Sequence, residues 1–559
     1  MTIQFGVEKS NFADFRRADN YYVDKTEILY ELVHETDNNV TLFTRPRRFG
    51  KTLMLSMMEN FFNVRKDSRE LFSGLDVLKH DSFCDKWMNQ YPVLFVSFKD
   101  VEAETFEDAY RILQMKIAEV CKEYDDVFRE SKVDQDDEQL FLKLKSMTAE
   151  KSVVKSALKI ITRMLYAVYG KKAIVLVDEI DFPLARASEK KTVDNGYYRE
   201  MADLMRGVMS TTLKDNESLQ FAVITGCLKI GKESVFTGTN NFVSYSVLDE
   251  DFSKYFGFSD REVAEILAAA GKHDKAELVK EWYDGYVFGN NHVYCPWDVM
   301  NYVSALNKRS DARPKNYWKN TSHNGILLSF VERTDFDVAG KFEQLLNGGT
   351  VYQTVSDELT YDSLHSSEEN LWSVLLMTGY ITKVDAEEDG ETTELRIPNK
   401  EIASVFEDTV VEHFKNTVDT DAVNQLVRML WDNDAEGATK VISDLLWNTI
   451  SYHDYHEDYY HAFLAGIFVG RGYQVESNKE VGLGRPDILL VDRKNRRAII
   501  IEAKRSSHEA DMDADCDEAL NQIVEKKYAE GLTGFVQILC FGISFYQKQA
   551  KMKSLLPKN

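Results

Sequence analysis

The chain has 559 residues, of which 68 are basic and 92 acidic, leaving a formal net charge of −24. With 44% hydrophobic and 12% aromatic residues and only 8 prolines, it carries apolar mass for several packed cores, so global disorder and a fibrous chain are excluded. The charge also excludes a generally basic, DNA-coating protein, because any nucleic-acid contact must be local and overcome long-range repulsion.

The length suggests three or four domains. Cys84, Cys121, Cys227, Cys295, Cys516 and Cys540 form no CxxC pair, so neither a zinc cluster of that type nor a dense disulfide framework is expected. The first twenty residues hold no apolar run of signal-peptide length, and no stretch approaches about 18 uninterrupted apolar residues. A soluble, cytoplasmic protein without a membrane span is the expectation.

Four short apolar runs mark the first half: Val40–Thr44, Pro92–Phe98, Ala173–Asp178 and Phe221–Thr225. Each is continuous rather than alternating, the pattern of strands buried on both faces in a parallel sheet. Segments of helical period lie between them, over 104–122 and 151–169. Strand alternating with helix predicts a wound α/β domain over residues 1–249. Residues 250–450 read as mostly helical, a lid or winged-helix-like linker, with a hairpin tip at 387–395. A smaller α/β domain follows over 451–559, with a helix at 512–530 and a last strand around Val536–Phe541.

The first run leads into Arg45-Pro46-Arg47-Arg48-Phe49-Gly50-Lys51-Thr52 and then a helix, Leu53–Phe62. This matches the phosphate-loop pattern GxxxxGK[ST] everywhere except its first position, where arginine stands for glycine. Arg48, Phe49, Gly50, Lys51 and Thr52 are therefore candidate nucleotide-binding residues. Gly50 would let backbone N–H groups close on phosphates without a Cβ in the way. Lys51 would reach the β- and γ-phosphates and Thr52 would ligate Mg²⁺. Pro46 removes one N–H donor, and the competing reading is an ordinary basic turn.

Ile174-Val175-Leu176-Val177 ends in Asp178-Glu179. A buried strand ending in two carboxylates places them where open α/β sheets meet ligands. Asp178 would hold Mg²⁺, and Glu179 would orient or deprotonate the attacking water. Thr225, at the end of another apolar run, is a candidate γ-phosphate sensor or simply a strand-end residue.

These segments, with Tyr21-Tyr22-Val23-Asp24-Lys25-Thr26 and Val177-Asp178-Glu179-Ile180-Asp181, resemble the predicted AAA-ATPase-like family joined to a C-terminal PD-(D/E)XK nuclease-like domain. The similarity runs nearly end to end, through Lys232-Glu233-Ser234, Glu281–Tyr286, Tyr317-Trp318 with Asn320-Thr321-Ser322, and Ile397–Glu401. Arginine at the first loop position is typical of that family. The resemblance implies ATP and Mg²⁺ as cofactors and places Tyr22–Lys25 near the adenine, against a competing role in packing.

Near the C-terminus, Ile488–Val491 and Ala498–Ile501 flank a polar turn and predict a hairpin. A two-residue turn at Lys494-Asn495 makes facing residue numbers sum to 989, so Asp487 faces Glu502 and Lys504 points the same way. Two carboxylates and an ammonium suit metal-assisted phosphodiester hydrolysis, with Asp487 and Glu502 on Mg²⁺ and Lys504 positioning water or neutralising charge. Asp487…Glu502-Ala503-Lys504 also resembles the PD-(D/E)XK signature. The resemblance adds Glu457 as a metal ligand, with His461 on the same helix face, and gives Gln522 a supporting role near Tyr528. The competing reading is a surface salt-bridge cluster. Between Arg471 and Arg505 nine basic and five acidic residues leave +4, but residues 509–518 then add six acids.

The expected activity is ATP hydrolysis that gates a Mg²⁺-dependent nuclease, with a nucleic-acid partner, DNA, at the C-terminal domain and homo-oligomerisation left open. The alternative is a nucleotide-switched regulatory or scaffold protein whose nuclease-like domain binds without cutting.

Overall fold

The computed structural model describes residues 4–555 except 8, 35–38, 130–132, 190–195, 230–241, 319–326, 328–338, 347, 360, 362–366, 385–391, 418–419, 450–459, 461–462, 465–466, 469–473, 477–485 and 533. The chain forms two compact units, Met1–Tyr317 with Tyr352–Glu401, and Trp318–Val351 with Ile402–Asn559. Among the described residues no helix is long and apolar enough to cross a membrane. None of the six cysteines is in a disulfide.

The first unit is built on five parallel strands: β1 (Val40–Thr44), β2 (Val93–Ser97), β3 (Ala173–Asp178), β4 (Leu219–Gly226) and β5 (Phe242–Tyr245). Their order is β2-β3-β4-β1-β5. β1 and β3 are buried at every position, which is why both read as unbroken apolar runs. β4 inserts between β1 and β3, pairing Thr44 with Gly226 on one side and Val177 with Ile224 on the other. The ends of the three strands therefore meet at one edge of the sheet.

The helices differ from expectation in ways that burial explains. The helix expected over 104–122 runs Phe106–Arg129, because Tyr124 and Phe128 extend its buried stripe. The one expected over 151–169 is two, Lys151–Lys155 and Ala157–Tyr169, broken at Ser156 and stopped by Gly170. The acidic run 134–138 starts a helix: Asp134 caps Gln135–Lys145 by accepting from the Asp136 and Asp137 N–H groups.

Beyond the sheet, this unit adds the helices Asp260–Ala269, Ala276–Tyr283 and Pro296–Lys308 and the hairpin β6 (Tyr286–Phe288) and β7 (Asn291–Val293). Further along lie the short strands β8 (Val351–Gln353), β9 (Thr382–Lys383) and β10 (Thr393–Arg396). The hairpin tip expected at 387–395 lies largely outside the described residues. Phe5, Tyr21 and Val23 pack on the core of the three helices.

The second unit carries the sheet β11-β12-β13-β14-β15, from β11 (Gln474–Glu476), β12 (Ile488–Asp492), β13 (Arg497–Arg505), β14 (Gln537–Tyr546) and β15 (Gln549–Ser554). β13 and β14 are parallel; the other neighbours are antiparallel. Odd and even positions of β13 face different cores. Ile499 and Ile501 pack with the helices Thr420–Trp431 and Ala435–Thr449, whereas Ala498 and Ile500 pack against Leu520 and Ile523 of helix Met512–Glu525.

Candidate functional site

Arg45 continues β1, donating its backbone N–H to the Gly226 carbonyl at 3.1 Å. Its side chain is fully buried and turns away from the loop. Nη1 donates to the carbonyls of Thr44 and Tyr245, both at 2.8 Å, and the guanidinium lies over Phe256 (4.7 Å) and Phe288 (5.6 Å). Burial lowers its pKa to about 9, against the pull of Asp249. Arginine can thus stand where the pattern asks for glycine, because only its backbone belongs to the loop.

Lys51 begins the helix Lys51–Phe62, and its Nζ donates to the carbonyls of Arg45 (2.7 Å) and Pro46 (2.8 Å). Gly50 caps that helix at φ 83°, yet a Cβ there would meet nothing within 4 Å. The backbone conformation alone favours glycine here; another residue costs about 1–2 kcal/mol. The first N–H groups of the helix have no intrahelical acceptor, which suits an anion. Phe49 is buried against Tyr286 and Phe288, at 5.0 and 4.9 Å between ring centroids. Arg48 stacks over Trp297 at 4.2 Å and donates to the Tyr317 carbonyl at 3.4 Å. Both side chains anchor the loop.

Asp178 ties the ends of β3 and β4 to the first turn of helix Lys51–Phe62. Its Oδ2 accepts from the Thr52 hydroxyl at 2.9 Å and its Oδ1 from the Thr225 hydroxyl at 2.7 Å. Glu179 follows at φ 51°, a left-handed conformation that non-glycine residues rarely take, and its N–H points to Thr225 Oγ1 at 3.4 Å. Burial, then the Asp178 charge, raises the Glu179 carboxyl above the ordinary range, against the pull of Lys51. Tyr22 packs on Phe12, Phe15 and Met57, and Lys25 pairs with Glu262.

Residues that spacing did not single out complete this edge. Arg47 lies amid Cys227, Tyr361, Asp181 and Glu179, which together raise its guanidinium although burial alone would lower it. Asp181 accepts from Tyr361 and from two backbone N–H groups. Asp181 stood inside a family-like segment, but the pairing with Tyr361 spans 180 residues. No local pattern reveals it.

Behind Arg48, Asp298 is fully buried at the start of helix Pro296–Lys308. Burial pushes its carboxyl from 3.8 up to about 6, opposed by Cys295, Glu401 and Arg48. An acid with a raised native pKa holds its proton more tightly when folded. Its stabilising contribution is full below about 3.8 and fades as pH rises through about 6. Asp298→Asn should therefore stabilise the chain at pH 8 by on the order of 1–3 kcal/mol and by much less near pH 4, where the carboxyl is protonated when folded and substantially so when unfolded, measured by urea unfolding.

In the second unit, β12 and β13 pair from Ile488 with Ile501 to Asp492 with Arg497, the register expected from the sequence. The connection is longer than the expected two residues: Arg493–Arg496 form a turn centred on Lys494-Asn495, with the Arg496 N–H on the Arg493 carbonyl. Asp487 Oδ2 accepts the Ala503 N–H at 2.7 Å, and the Asp487 N–H points to Glu502 Oε2 at 3.3 Å. Gln522 donates its amide N–H to Glu502 Oε1 and accepts from Lys504 Nζ at 2.8 Å. One amide thus links carboxylate to ammonium and fixes its own orientation. Glu502 is 2% exposed, too buried for a surface salt-bridge cluster.

Tyr528 shares this face; burial and the Glu502 and Asp487 charges raise its phenol, against Gln522. Glu457 and His461 lie outside the described residues. Of the acids after the hairpin, Asp513 pairs with Lys551 and Lys553 and Asp517 with Lys553 at 2.8 Å, all on β15, whereas Glu518 lies 3.9 Å from Lys504.

Both constellations suit the groups their chemistry implies. The phosphate-loop edge offers an ammonium, helix N–H groups and a Thr–Asp pair for a nucleotide with Mg²⁺; the hairpin offers two carboxylates for a divalent cation.

A family model described as a predicted AAA-ATPase matches residues 5–236. A second, for the PD-(D/E)XK nuclease superfamily, matches residues 455–554. A curated protein of Azotobacter chroococcum mcd 1, described as an uncharacterized protein in the vnfD 5' region, is 25% identical over 531 residues, 93% of this chain and 92% of its own. The five-stranded parallel sheet and the mixed C-terminal sheet are consistent with these matches, and the chain carries an AAA-ATPase-like domain followed, near its C-terminus, by a PD-(D/E)XK nuclease superfamily domain.

Proposed function

We propose that the chain binds and hydrolyses ATP with Mg²⁺ in its N-terminal domain, and that this gates Mg²⁺-dependent phosphodiester cleavage in its C-terminal one. The observation that carries the reading is the single Asp178 carboxylate bonded to both Thr52 and Thr225, with Glu179 beside it. Lys51 would exchange its loop carbonyls for phosphate oxygens, Thr52 and Asp178 would hold Mg²⁺, and Glu179 would take a proton from the attacking water. Mg²⁺ supplies charge neutralisation on the phosphates when bound. In the hairpin, Asp487 and Glu502, joined by Glu457, would hold the cation while Lys504, oriented by Gln522, meets the negative charge that develops. Residues 1–249, 250–450 and 451–559 would act as ATPase, transmitting region and nuclease. The unpaired cysteines support work in the reducing cytoplasm.

Glu179→Gln should lower kcat for ATP by about 10²–10⁴-fold while ATP binding persists. The acid limb of the wild-type pH–rate profile should lie above that of an ordinary carboxylate, since Glu179 is raised. Cleavage assays with and without ATP, on single-stranded DNA, duplex DNA and RNA with Mg²⁺ or Mn²⁺, test the whole reading. Cleavage that rises with ATP is expected. No cleavage of any substrate, with partner retention that depends on ATP, favours a nucleotide-switched scaffold, the reading to which the net charge of −24 lends weight.

A further inference from the structure

Asp181 lies two residues beyond Glu179 and is 4% exposed. Its Oδ2 accepts three donors: the backbone N–H groups of Cys227 and Leu228, each at 3.0 Å, and the Tyr361 hydroxyl at 2.9 Å. Its Oδ1 sits 2.8 Å from where a Cβ on Gly226 would be, so carboxylate and strand end are in close contact. Beside it the Ile180 N–H reaches the Thr225 carbonyl at 3.0 Å. These bonds close the turn after β3 onto the end of β4, the two segments that carry Glu179 and Thr225.

Tyr361 comes from a distant part of the sequence and is 5% exposed. A second tie runs alongside: Lys229 pairs with Asp357 at 3.0 Å and approaches Glu358 at 3.7 Å. Asp357 and Tyr361 are thus fastened beside both strand ends at the hydrolytic edge of the sheet, yet neither fastening involves a residue assigned to nucleotide. A hydrogen bond to a charged acceptor is roughly twice as strong as one between neutral groups, enough to decide where a turn sits.

Resting on the ATPase reading above, we propose that Asp181 and Tyr361 are positioning residues for ATP hydrolysis: Tyr361 clamps Asp181, and Asp181 sets the ends of β3 and β4 so that Glu179 and Thr225 stay aligned. Through this clamp Tyr361 sets the rate of hydrolysis and leaves nucleotide affinity alone. Arg47 sits in the same group of acids, so a displaced Asp181 also loosens the charge beside Glu179.

The test compares kcat and ATP dissociation constants for the full-length chain and three variants. Tyr361→Phe removes one oxygen and keeps the packing; kcat should fall about tenfold with ATP affinity within twofold of wild type. Asp181→Asn keeps an acceptor and should resemble Tyr361→Phe, whereas Asp181→Ala should cost more. Amide exchange at Cys227 and Leu228 should quicken in the same order. Unchanged kcat in Tyr361→Phe, or kcat and affinity falling together, overturns the proposal while wild-type hydrolysis leaves the ATPase reading standing. A wild-type chain that binds ATP and never hydrolyses it overturns both.

Discussion

Lys51→Ala should weaken ATP binding at least about a hundredfold, because two charge-assisted contacts to phosphate oxygens, worth about 1.5–3 kcal/mol each, disappear together. The ammonium also donates to the Arg45 and Pro46 carbonyls and so holds the loop curled around its own cation. Alanine removes that support too, so loss of affinity alone could reflect a slackened loop. Lys51→Arg separates the effects, since a guanidinium can reach the same carbonyls but is larger than an ammonium and differently shaped. Isothermal titration with ATP should find Lys51→Arg close to Lys51→Ala if phosphate contact dominates, and close to wild type if loop support does. Unchanged affinity in Lys51→Ala removes the nucleotide site from this loop.

How much of this was readable in advance depended on whether the physics was local. β1 and β3 are buried on both faces along their length, so continuous apolar runs marked them to the residue. The hairpin register followed from where its polar turn is centred, since period-two alternation leaves one pairing that puts Leu489 and Ile500 in the same core. β5 was missed because it is an edge strand, half-buried throughout, and Phe242-Val243-Ser244-Tyr245 has no unbroken apolar run. β15 was missed although it carries a signal: Ala550 and Met552 are buried, while Gln549, Lys551 and Lys553 between them are not. Five of its six residues are polar or small, and charge hid the alternation. The direction of the Arg45 side chain was not legible at all, because it depends on aromatic rings more than two hundred residues away.

Glu502→Ala should reduce Mg²⁺-dependent cleavage by about a thousandfold or more and leave ATP hydrolysis within twofold of wild type. The carboxylate is 2% exposed and its two oxygens have different partners, Oε1 taking the Gln522 amide and Oε2 facing the Asp487 N–H. Alanine deletes one of the proposed cation ligands and also strands the Gln522 N–H, which then no longer fixes the amide that receives Lys504. Glu502→Gln distinguishes the two losses: it fills the same volume and can still accept from Gln522, but it brings no negative charge. If charge on a divalent cation is what the site requires, Glu502→Gln should be as inactive as Glu502→Ala while unfolding at nearly the wild-type temperature. Asp487→Asn should match it, because Asn can still accept the Ala503 N–H through one oxygen. Cleavage by Glu502→Ala at the wild-type rate refutes the assignment. Cleavage kept by Glu502→Gln and lost by Glu502→Ala would instead make this carboxylate a packing and hydrogen-bonding residue, with the cation held elsewhere.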